Sequence, residues 1–88
     1  MEVEPDTTPL ADEQLVREQE RAVIWQALNT LPLDRRAVVT LHDLEEVSIP
    51  DIATALEVPL RTTYSRLRVG RDELLTALKR FKAKERGL

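Results

Sequence analysis

The chain has no cysteine, which excludes a disulfide framework, a thiolate metal site and a cysteine nucleophile. It has a single histidine, His42, and without a second histidine or a thiol no metal or nucleophile site can be assembled around it. Apolar runs are only a few residues long, too short to span a bilayer, and no signal-peptide pattern opens the sequence, so the expected location is the cytoplasm. No stretch alternates with period two for long enough to make a sheet, and no internal repeat is seen. Acids such as Asp43, Glu45 and Glu46 read as an ordinary helix end, and His42 as a solvated side chain. No enzyme activity and no cofactor are therefore expected. Eighty-eight residues make one small domain with a thin core, because so short a chain buries only about 60% of its unfolded surface.

Positive charge is also scarce overall, with 13 Lys and Arg against 16 Asp and Glu. The distribution is uneven. Residues 1–20 carry seven acids and one Arg, residues 21–59 six acids and three Arg, and residues 60–88 three acids and nine Lys or Arg. The three blocks are −6, −3 and +6, which sum to the net −3. An acidic front and a basic back point to a polyanion-binding end and an acidic leader or linker.

The pattern predicts an all-α domain of four helices. Residues 1–11, acidic with two prolines, read as a flexible leader. Helical periodicity begins near Asp12, with Val16, Ile24, Leu28 and Leu31 on one stripe, Trp25 flanking it and Pro32 stopping it. Asp34 is the expected N-cap of a second helix whose stripe is Ala37, Val38, Leu41 and Leu44. Ser48, Pro50 and Asp51 open a short third helix as a capping box with proline in its first turn, and Ile49, Ile52 and Leu56 line its buried side. The last helix carries Leu60, Thr63, Leu67, Gly70, Leu74, Leu78 and Phe81 at steps of three and four. The helical domain is expected over 12–82, with a basic tail over 83–88.

The third and fourth helices, about residues 48–80, follow the helix-turn-helix plan: a short helix, a tight turn and a second helix with polar residues at its start. No winged element accompanies them. Ala53 supplies the small residue for the crossing. Thr63 only half satisfies the need for an apolar residue just inside the second helix. Glu57 stands where glycine often permits positive φ, at a cost of about 1–2 kcal/mol, so a wider turn is expected. At about 100° per residue, Arg61, Ser65, Arg68 and Asp72 share a line opposite the apolar stripe. Thr62, Arg66 and Val69 are placed beside that line, Tyr64 borders it, and Arg71 lies nearer the buried side as a structural or phosphate residue. Such a face suits a major groove, where Arg bonds guanine, hydroxyls bond base edges or phosphate, and a phenol packs on a thymine methyl. A glycine at position 70 costs about 1 kcal/mol in a helix interior, so a bend or frayed turn is expected there.

Residues 22–75 resemble region 4 of sigma factors of the sigma-70 family, in particular the extracytoplasmic-function group. The matching positions are Ala27, Leu28, Leu31, Pro32, Arg36, Val38, Leu41, Ser48, Ile52, Ala53, Leu56, Val58, Pro59, Thr62, Ser65, Arg66, Leu67, Arg71 and Leu74. The resemblance implies binding to the −35 element of a promoter, docking on the RNA polymerase core and capture by an anti-sigma factor. It places DNA contacts on Pro59, Arg61, Thr62, Tyr64, Ser65 and Arg68, with Arg66 as an additional phosphate or structural residue. Arg61 stands where the family usually has Gly, Thr63 for Val, Val69 for Arg and Gly70 for Ala, so a promoter sequence cannot be copied from a relative. Complete factors of this group carry a preceding promoter-melting domain, so the chain is expected to be the C-terminal part of a longer factor, binding DNA weakly alone and more tightly when tethered to polymerase. Two alternatives stay open: a sigma-like module that only captures an anti-sigma partner, and the output helix-turn-helix of a response regulator. The closing "KRFKAKERG" also has two readings, as cations that favour the helix dipole or as extra phosphate or polymerase contacts.

Overall fold

The computed structural model describes residues 11–85. They form four helices, α1 (Ala11–Leu28), α2 (Leu33–Val39), α3 (Ile49–Leu56) and α4 (Leu60–Glu85), and α2 runs on into a π-helical turn over Thr40–Leu44. No strand occurs among the described residues. The leader expected over 1–11 lies outside the described residues except for Ala11, which is already helical, as does the end of the expected tail, 86–88. Residues 83–85, assigned to that tail, are part of α4.

α1 ends sooner than the proline implies. Pro32 disfavours helical backbone at the residue before it, and the chain leaves the helix after Leu28 through short-range bonds, Thr30 N–H to Ala27 O and Leu31 N–H to Leu28 O at 3.1 and 3.0 Å. Leu31 still reaches the core, 2% exposed, but from the turn. The Arg36 guanidinium donates to the Leu31 carbonyl at 3.0 Å and more weakly to that of Asn29 at 3.4 Å, satisfying carbonyls the ended helix leaves open. Val16 is half exposed, so the α1 stripe meets the core only through Ile24, Ala27 and Leu28.

The N-cap of α2 is Pro32, not Asp34, and no side chain caps it. Pro32 is already extended, with φ −57° and ψ 149°, so the cap lies two residues earlier than expected and the helix starts at Leu33. Asp34 instead accepts from the Arg35 N–H at 2.9 Å. After Val39 the ladder widens to an i→i+5 bond, Glu45 N–H to Thr40 O at 3.1 Å. The extra residue in that turn displaces later side chains around the axis. The expected stripe therefore fails at its end: Leu44 is exposed, while Val39, not assigned to the stripe, is 1% exposed in the core. His42 is half-buried, and its Nδ1 pairs with the Val47 carbonyl at 2.8 Å, so it ties down the turn after the π segment and is not the solvated side chain expected.

α3 starts on Ser48, whose hydroxyl accepts from the Asp51 N–H at 3.2 Å, with proline in the first turn. Its buried side is Ile49, Ile52 and Ala53. Together with Leu28, Leu31, Val38, Val39 and Leu67 these residues make the core, shallow in a molecule whose Cα extents are 53 × 40 × 14 Å.

Candidate nucleic-acid interface

Glu57 does adopt the left-handed conformation, φ 58° and ψ 45°. The turn is not widened. The Val58 N–H reaches the Ala53 carbonyl at 3.1 Å and the Glu57 N–H that of Thr54 at 3.2 Å, the paired bonds of a Schellman end. Two recovered carbonyls and the burial of α3 offset a strain of about 1–2 kcal/mol. Only residues 57–59 separate α3 from α4. The Pro59 carbonyl then opens α4 by accepting both the Thr63 N–H at 3.1 Å and the Thr63 hydroxyl at 3.2 Å. That second bond lets Thr63 stand fully buried, 0% exposed, where an apolar residue was wanted.

The tight turn fixes how the start of α4 is presented. Arg61, Tyr64, Ser65 and Arg68 are exposed, as is Pro59 at the helix entrance, and Thr62 is half-buried beside them. None of Arg61, Arg68 or Tyr64 has an ion-pair or hydrogen-bond partner among the described residues. Arg66 does not belong to this face. It lies about 140° around the helix from Arg61, is half-buried, and its Nε sits 3.7 Å from Asp34 Oδ2 on α2. Placing it next to the Arg61 line understated that angle.

Two bidentate ion pairs hold α4 in place. Arg35 on α2 donates to Glu73 at 2.6 and 2.9 Å, and Arg71 donates to Asp43 in the π turn at 2.6 and 2.9 Å. Fork-on-fork pairing of this kind fixes orientation as well as distance. The hydrogen bonds from Arg71, and to a lesser degree its charge, hold the Asp43 carboxyl below the ordinary aspartate range, and those from Arg35 do the same for Glu73. Gly70 immediately precedes these clamp residues on α4. A Cβ there would stand 2.7 Å from Val39 Cγ2 and 3.3 Å from the Arg35 carbonyl oxygen. Gly70 is thus where α2 crosses α4, and α4 continues through it as one helix to Glu85, so the turn there is not frayed.

Sequence reasoning missed both clamps, because their partners are 38 and 28 residues apart and no local pattern links them. A signal for the crossing was present: a glycine on an apolar stripe marks close backbone approach. Among the described residues no cluster of His, Cys, Asp or Glu can hold a metal ion, and no helix is long and apolar enough to cross a membrane.

Residues 21–74 match the family model described as sigma-70, region 4. The chain is 34% identical over 64 residues to the RNA polymerase sigma-H factor of Pseudomonas aeruginosa, an alignment covering 73% of this chain and 33% of that protein. It is 28% identical over 60 residues to the ECF RNA polymerase sigma-E factors of Escherichia coli (strain K12) and Salmonella typhimurium (strain LT2), covering 68% of this chain and 31% of each relative. The matched region thus spans about a third of the length of these curated relatives.

Proposed function

The chain belongs to the sigma-70 region 4 family, and from that premise we propose that its α3–α4 pair reads the −35 element of a promoter for an extracytoplasmic-function sigma factor. One observation carries the reading. Arg61, Tyr64, Ser65 and Arg68 stand exposed on the first turns of a helix that a three-residue turn presents clear of the rest of the domain. In a major groove the two arginines bond guanine O6 and N7, Ser65 bonds a base edge or phosphate, and Tyr64 packs on a thymine methyl. Pro59 and Thr62 contact the backbone at the helix entrance, where the positive end of the dipole favours phosphate. Arg66 is a positioning residue through Asp34.

The protein acts in the cytoplasm, with the RNA polymerase core as its assembly partner and an anti-sigma factor as its antagonist. The groove between α1 and α4, lined by Val16, Val23, Ile24 and Leu78, supports a protein partner of this kind. It also supports the second reading, a module that captures an anti-sigma factor without reading DNA.

The test is promoter output from polymerase carrying this domain, on a −35 sequence selected from a random duplex pool. Arg61→Ala and Arg68→Ala are each expected to reduce output about 5- to 100-fold, as loss of a bidentate base contact worth about 1–3 kcal/mol requires. Unchanged output with intact anti-sigma binding would leave the interaction module as the answer.

A further inference from the structure

The family match stops at residue 74, but α4 continues to Glu85. That extension carries Lys79, Arg80, Lys82 and Lys84, all exposed and without an ion-pair partner among the described residues. They are not equivalent. Lys79 follows Arg61 by eighteen residues, five whole helical turns, so the two side chains leave α4 in the same direction about 27 Å apart. Lys82 lies about 60° to one side of that line, on the flank of Tyr64. Arg80 and Lys84 are about 100° and 140° to the other side; Arg80 lines a cleft with Thr30 and Glu73, and Lys82, though exposed, also lines the α1–α4 groove beside Leu78.

We propose that Lys79 and Lys82 are a second DNA contact, made to phosphates beyond the groove that Arg61 and Arg68 enter. The inference rests on the DNA-binding reading above and adds a constraint to it. A helix inserted end-on would lift Lys79 about 27 Å off the duplex, whereas a helix laid on its side keeps Lys79 at the surface. The major groove is about 12 Å wide, so a side-on α4 carries its fifth turn past the flanking phosphate row. Among the described residues this side of α4 is uncovered, with Arg61, Ser65, Arg68, Asp72 and Lys79 all exposed along one line. Asp72 is the one carboxylate on that line and repels phosphate, so the contacts resume only at Lys79. Cationic side chains at a helix C-terminus are also favoured by the dipole, but the dipole is indifferent to which side of the helix they occupy.

The experiment uses the full 88-residue chain and a mixed-sequence duplex about three helical turns long, with affinity measured against salt concentration. Neutralising Lys79 and Lys82 together (K79Q with K82Q) is expected to reduce the slope of log K on log salt by about 1.8, the value for two lost phosphate contacts. Neutralising Arg80 and Lys84 together (R80Q with K84Q) is expected to reduce it by less than half as much. Preference for a selected −35 duplex over the mixed one should be unchanged in both. Equal slopes in the two double variants would overturn the proposal in favour of a general cationic field. A slope equal to wild type for K79Q with K82Q, accompanied by a lower melting temperature, would reduce these lysines to partners of the dipole. If the wild-type chain bound no duplex at all, the DNA-binding reading itself would fail.

Discussion

Replacing Gly70 with alanine puts two effects of opposite sign in competition. Alanine is favoured over glycine in a helix interior by about 1 kcal/mol, and in an isolated α4 it would stabilise. In the folded domain the new methyl would stand 2.7 Å from Val39 Cγ2 and 3.3 Å from the Arg35 carbonyl oxygen, against an ordinary carbon contact of about 3.5–4.0 Å. Neither neighbour yields cheaply. Val39 is β-branched and fully packed, with one strongly preferred rotamer in a helix, and the other atom is backbone. Overpacking of this kind costs about 1–3 kcal/mol, and the absence of an easy escape places this site in the upper part of that range. The net expectation is a loss of about 1–2 kcal/mol, read in a thermal melt as a fall of roughly 5–15 °C for a domain of this size. Val39→Ala removes the clashing methyl, so the double variant should be more stable than the sum of the single changes by at least about 0.5 kcal/mol. A melting temperature raised by Gly70→Ala would refute the close crossing of α2 and α4.

Two further outcomes follow from the same geometry. Glu57→Gly relieves a left-handed residue and is expected to stabilise the domain by roughly 1 kcal/mol, measured by urea denaturation, with DNA affinity unchanged; a loss of stability would contradict the Schellman end. Asp43 and Glu73 have folded-state pKa values lowered by their arginine partners, so their stabilisation is present above the unfolded carboxylate pKa and is lost as pH falls through the lowered folded value. Melting temperature should therefore hold from neutral pH to about pH 5 and fall progressively below it, less steeply in Asp43→Asn, and an acid profile unchanged by that substitution would disconnect Asp43 from Arg71.

Most of the architecture is legible in the residues because its determinants are local. Ser48 with Asp51 defines the start of α3, the three-and-four spacing from Thr63 to Phe81 defines α4, and Arg61, Ser65 and Arg68 fall together from periodicity alone. What was misjudged depends on tertiary context. Asp34 is a good N-cap residue, yet Pro32 had already turned the backbone, leaving the carboxylate for Arg35 and Arg66. Glu57 accepts positive φ only because a Schellman end and a packed α3 surround it. The π turn at Thr40–Leu44 moves Leu44 outward and Asp43 toward Arg71, and no period count anticipates an inserted residue. His42 looked solvated because its partner, the Val47 carbonyl, is backbone and leaves no trace in side-chain patterning.

The most direct check on the account is to record amide chemical shifts of the full chain as a selected −35 duplex is added. The largest changes are expected at residues 60–68, with a second group near Lys79 and Lys82. Shifts confined to α1 and the groove beside Leu78, with 60–68 unmoved, would contradict the claim that the start of α4 faces DNA.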